Sequence, residues 1–194
     1  MSLPTYDKSK RRKSFEQLPK DCYVIKILNA KEAANKTSGS RLDISFDIAE
    51  GEFKDFYMQQ YRNNSNEDKK WPNDAIFRIN IPSDGSPQYV WDSWNTFFAD
   101  LEDSNNGFVF AGDPATLKNK IVGGKFHIEQ TEYNSKIYNH TRMRWTCVAA
   151  DVRSGKAAKT MPNDKLLAPA KAPASVDSDF IDVPAGSPEE LPWD

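Results

Sequence analysis

The stretch that most constrains the fold is residues 121–148, "IVGGKFHIEQTEYNSKIYNHTRMRWTCV". Two runs rich in β-branched and aromatic residues flank Asn134 and Ser135, both turn-forming types, so the segment reads as an antiparallel hairpin. With the turn at that pair, Val122 faces Cys147, Gly124 faces Trp145, and Phe126 faces Met143. That face is apolar and reads as core, Gly124 making room for the Trp145 indole. The same register sets Lys125 opposite Arg144, His127 opposite Arg142, and Glu129 opposite His140 on the other face. Like charges opposed across a sheet are unfavourable, so an anionic partner would relieve Lys125 and Arg144. A solvated basic face accounts for the same residues.

Upstream segments extend the β reading. "CYVIKIL" has strand character, and "RLDISFDIA" alternates strictly, Leu42, Ile44, Phe46 and Ile48 on one face and Asp43, Ser45 and Asp47 on the other. "DFYMQQYR" and "AIFRINI" read as two more strands around the polar loop "NNSNEDKKWPND". One helix follows: Val90, Trp91, Trp94, Phe97, Phe98 and Leu101 share a helical face, with Ser86 as the expected N-cap and Pro87 in the first turn. From Ala157 onward the chain holds half of the twelve prolines and shows no periodicity, which predicts a disordered tail. The expected organisation is a basic arm over 1–18, a domain over 19–156 and a Pro-rich acidic tail over 157–194.

Charge follows the same division. The net charge is −2, yet from Ser175 onward six acids stand with no Lys or Arg, which leaves +4 on the remainder. "KSKRRK" near the N-terminus places five basic residues within six positions. The body is basic and the tail acidic. No apolar run approaches the roughly 18 residues of a membrane span, and no apolar leader opens the chain, so a cytoplasmic protein is expected.

Catalytic signatures are sparse. His127 and His140 lack metal-ligand spacing, Cys22 and Cys147 stand far apart with no CxxC, and "GGK" lacks the rest of a phosphate-binding loop. Asp47 followed by Glu52 and Lys54 matches the acid-then-ExK arrangement of metal-dependent nucleases only weakly. The expectation is a non-enzyme without cofactor or metal. The loop around "QQYRNNSNEDKKW" tells more: Tyr61 and Trp71 stand among Arg62, Lys69 and Lys70. Exposed rings interleaved with cations suit an unpaired strand, whose bases stack while phosphates are neutralised. In the alternative, Trp71 folds back over the sheet with Pro72.

A β-rich body with one helix before the last hairpin, then a Pro-rich tail with an acidic end, resembles single-stranded DNA-binding proteins of the OB-fold type. "DISFDIAEGEFKDFY", "EDKKW" and "LKNKIVGGKF" resemble, more narrowly, a family from replication and recombination modules of phages of Gram-positive bacteria. The resemblance implies a mainly β, OB-like antiparallel barrel that binds single-stranded DNA without strong sequence preference, in a host-cell cytoplasm. Such proteins typically end in acidic residues, a hydrophobic residue, Pro and Phe, which partners grip together with the terminal carboxylate. Here the match falls on Glu189, Glu190, Leu191, Pro192, Trp193 and Asp194, with Trp in place of Phe and one residue beyond it. The implied tail partners are replication or recombination proteins. An interaction or inhibitor protein of phage origin, its acidic tail mimicking DNA, is the alternative reading.

Overall fold

The computed structural model describes residues 17–35 and 39–167. The expected arm as far as residue 16, and the tail from residue 168 with Glu189, Glu190, Leu191, Pro192, Trp193 and Asp194, lie outside the described residues. Five strands, β1 (Cys22–Asn35), β2 (Gly39–Ile48), β3 (Ile76–Asn80), β4 (Ile121–Tyr133) and β5 (Lys136–Cys147), form one antiparallel sheet in the order β3-β2-β1-β4-β5. The alternation of β2 sends Leu42, Ile44, Phe46 and Ile48 inward, where they are buried with Ile25, Ile27, Val122 and Phe126. Aromatic rings fill the centre edge to face: Tyr23 lies 5.4 Å from Phe126, and Phe46 lies 5.9 Å from Phe126 and 5.8 Å from Tyr57. Such T-shaped contacts place positive ring edges on negative ring faces.

The sheet curls until β5 lies beside β3. No backbone ladder joins these two strands among the described residues, so the OB-like barrel stays open along one seam. Helix α2 (Gln88–Ser104) precedes the last hairpin and packs on β3, β4 and β5 through Val90, Phe97, Phe98 and Leu101. Two expectations for this helix are corrected. Pro87 takes the N-cap position, Ser86 Oγ instead accepting the Ser83 N–H at 2.9 Å, and Trp91 remains partly exposed rather than in the core.

"DFYMQQYR" is not a strand. Phe56–Asn63 is helix α1, and the cause lies ten residues back in the sequence. The buried Asp47 carboxylate accepts the N–H groups of Ile48 (2.8 Å), Tyr57 (2.9 Å) and Met58 (2.9 Å), satisfying two donors of the first helical turn. A third short helix, α3 (Ala149–Arg153), follows β5.

The last hairpin turns at Asn134 and Ser135, with φ of 51° and 57° at the two residues. The expected register then holds through Glu129 opposite His140, His127 opposite Arg142, and Phe126 opposite Met143. Beyond Phe126 it shifts by one residue: Arg144 is bulged out, and Lys125 faces Trp145. Val122–Cys147, Gly124–Trp145 and Lys125–Arg144 are therefore not pairs. The space above Gly124 is taken by Met143, and the indole of Trp145 is half exposed. Gly123 has a different constraint. A Cβ there would sit 2.7 Å from Cys147 Sγ and from Val152 Cγ2, and 2.8 Å from the Cys147 carbonyl oxygen. Backbone cannot give way as a flexible side chain does, so Gly123→Ala is expected to cost about 1 to 3 kcal/mol, read by chemical denaturation. Gly124→Ala meets the flexible Met143 and should cost less.

Ordered structure continues past residue 156. Residues 157–167 run back along β4, contrary to their assignment to the tail. β4 outruns β1 beyond Lys125, leaving the backbone groups of Ile128 and Gln130 open. Lys165 fills them, donating to Ile128 O at 2.9 Å and accepting from Gln130 N at 2.9 Å. Lys20 pairs with Asp164 at 2.8 Å. At the other end Leu18 is buried, so the folded body includes the last two residues assigned to the arm.

Candidate nucleic-acid interface

The last turn of α1 and the loop that follows it carry five of the expected contact residues, Tyr61 and Arg62 on the helix and Lys69, Lys70 and Trp71 after it. Arg62, Lys69 and Lys70 face water, whereas Tyr61 and Trp71 are half-buried with ring centroids 5.7 Å apart. Trp71 packs against the core, and its indole N–H donates to Ala75 O at 3.2 Å. The segment thus presents its cations outward, and Trp71 folds back as the Pro72 alternative anticipates.

The basic face expected on the hairpin is largely taken up by partners within the fold. Lys125 Nζ donates to Thr160 Oγ1 at 2.6 Å. His127 is buried under residues 157–167, its Nδ1 lying 3.0 Å from Asn163 O. Arg142 donates through Nε to Asp74 Oδ1 at 3.0 Å and through Nη1 to Glu129 Oε2 at 2.8 Å. Arg144 alone of the four is exposed, and it makes no ion pair among the described residues. The bulge removes the Lys125–Arg144 opposition, so repulsion between them gives no argument for an anion.

What these partners build is a clasp across the open seam. Asp74, in the turn at Asn73–Ala75 just before β3, holds Arg142 and stands 3.1 Å from His140 Nδ1, both on β5. Lys165 adds a 2.6 Å pair to Glu129. Burial alone pushes the Glu129 carboxyl up, but hydrogen bonds from Lys165 and Arg142 bring it below its ordinary value. A carboxyl lowered in the folded state contributes stability above its unfolded pKa and loses that contribution as pH falls through the folded one. Arg142→Met is accordingly expected to cost about 2 kcal/mol near neutral pH, with the deficit shrinking in acid. Denaturation midpoints compared at pH 7 and in acid would measure this.

Further along the seam lies a groove of about 410 Å³ between α2, β3 and β5. Its walls include Phe77, Tyr89 and Trp145, with Arg78 and Arg144 beside them. Thr146 Oγ1 donates to Asp100 Oδ2 at 2.6 Å, tying β5 to α2 at its margin. None of Arg78, Tyr89 and Trp145 was expected at an interface. Tyr89, Ser93 and Thr96 do recur at helical spacing on the side of α2 away from its apolar stripe, the one trace of the groove in the sequence. The hairpin tip carries a second exposed set, Tyr133 and Tyr138 with Lys136.

Neither oxygen of the Asp47 carboxylate is without a donor, so this member of the weak nuclease-like set acts as the cap of α1. Among the described residues no cluster of three or more His, Cys, Asp and Glu side chains could hold a metal ion, and no helix is long and apolar enough to cross a membrane. No protein-family model matches the chain, and no curated protein shows significant similarity to it.

Proposed function

We propose that this protein binds single-stranded DNA on its barrel and recruits replication or recombination proteins through its acidic C-terminal tip, in the cytoplasm of a host cell. The observation that carries the reading is the open edge of the barrel. Along β5, Lys136, Tyr138, Arg144 and Trp145 are all exposed, alternating cation and ring over about 30 Å. Arg62 in the last turn of α1, and Lys69 and Lys70 in the loop after it, lead into Asp74, which bonds His140 and Arg142 of β5, so further cations flank the same seam. Bases of an unpaired strand stack on such rings whatever their identity, and cations neutralise phosphates between them. A duplex keeps its base faces covered and gains only the charge term.

The full chain titrated with oligo-dT, and with a duplex of equal length, tests this at two salt concentrations. Tighter binding of the single strand, weakening steeply with salt, is expected. Equal affinity for both, or no binding at low salt, overturns the reading. For the tip, Trp193→Ala should abolish recovery of replication or recombination proteins from lysate while leaving oligo-dT binding intact.

A further inference from the structure

We infer that the groove between α2, β3 and β5 is a slot for a nucleobase carrying a phosphate. Tyr89 on α2 is 68% exposed and Trp145 on β5 is 50% exposed, and both line the same groove. Two large rings left in water on facing elements add little to folding, because their apolar area stays hydrated. A flat heterocycle between these walls would bury both. The groove's volume of about 410 Å³ lies within the range of about 300 to 1,000 Å³ usual for small-ligand sites.

Polar groups narrow the ligand further. Arg144 brings to the lining a guanidinium that makes no ion pair among the described residues, a match for a phosphate, while Arg78 already donates to Asn73 Oδ1 and lies 3.8 Å from Asp43 Oδ1. Asp92, the acid in the lining, already accepts from Gln88 Nε2 at 2.8 Å. Thr96 supplies a hydroxyl capable of hydrogen bonding to a base edge, while Asn80 Oδ1 already accepts from Asn35 Nδ2 at 2.9 Å. A hydrocarbon would gain nothing from the Arg144 guanidinium. The strand of the preceding subsection and a free nucleotide offer the same chemistry. The inference rests on the single-strand reading for the strand as source, and the slot itself stands on its lining.

Tyr89→Ala, Trp145→Ala and Tyr89→Phe in the full chain, each confirmed folded by its thermal melt, separate the outcomes. Binding of oligo-dT is measured first, then binding of dTMP and dAMP at millimolar concentration. Each Ala variant is expected to weaken oligo-dT binding about 5- to 150-fold, with Tyr89→Phe near wild type. If wild type binds oligo-dT and both Ala variants match it, the slot is wrong while the single-strand reading survives. If wild type binds no oligonucleotide, that reading fails, and the slot stands only if a mononucleotide binds and Tyr89→Ala abolishes it. Loss of both kinds of binding overturns both.

Discussion

Asp47→Ala is expected to lower stability by about 3 to 5 kcal/mol, because three backbone N–H groups would lose their acceptor in a site that water does not reach. Against a typical total of about 5 to 15 kcal/mol this brings the fold near its limit, and α1 should fray first. Urea denaturation followed by far-UV dichroism would measure it, and a loss under about 1 kcal/mol would show that α1 holds without its cap. Asp47→Asn keeps one carbonyl oxygen and should lose less. Burial pushes the Asp47 carboxyl above its ordinary value, against the pull of the three N–H groups. The folded state therefore holds the Asp47 proton more tightly than the unfolded chain does. Its contribution is full below the unfolded pKa and declines as pH rises through the folded one. The deficit of Asp47→Asn should accordingly be largest in acid and narrow towards neutrality. A deficit that widens with pH would show the N–H bonds outweighing burial.

Phe126→Ala should cost about 3 to 5 kcal/mol, the usual range for emptying a fully buried ring site. This ring touches Tyr23 on β1 and Phe46 on β2 from its place on β4, so its loss opens a void where three strands converge. Phe126→Leu refills most of the volume and should recover more than half of the loss. Guanidinium midpoints for the two variants check the pair. Similar midpoints would show that the neighbouring rings collapse into the space.

The parts of this fold that follow from local pattern were legible. Alternation in β2 and turn chemistry at Asn134 and Ser135 each depend on neighbouring residues, and both hold in the structure. Misreadings arose where a distant partner decides. "DFYMQQYR" becomes helical because Asp47, on another element, receives its first N–H groups. The Arg144 bulge shifts three expected pairs without any marker in composition. Residues 157–167 are held by backbone hydrogen bonds and ion pairs, to which a search for apolar periodicity is blind. At the interface, Arg62, Lys69 and Lys70 were legible as exposed cations, the two lysines on a polar loop. The groove was not, since Arg78, Tyr89 and Trp145 come from three segments brought together only by the curl of the sheet.

The strand order also sets a timetable for synthesis. β1 can pair with β2 as soon as both have emerged, but its other neighbour, β4, is made about 100 residues later. At about 5 to 20 residues per second, a nascent chain carries the edge of Cys22–Lys26 open for about 5 to 20 s. Over that interval Val24 and Ile25 lack the strand that will cover them, so mispairing between neighbouring nascent chains competes with folding. Slower translation of the segment between β3 and β4 would lengthen the exposure and lower the yield of folded protein.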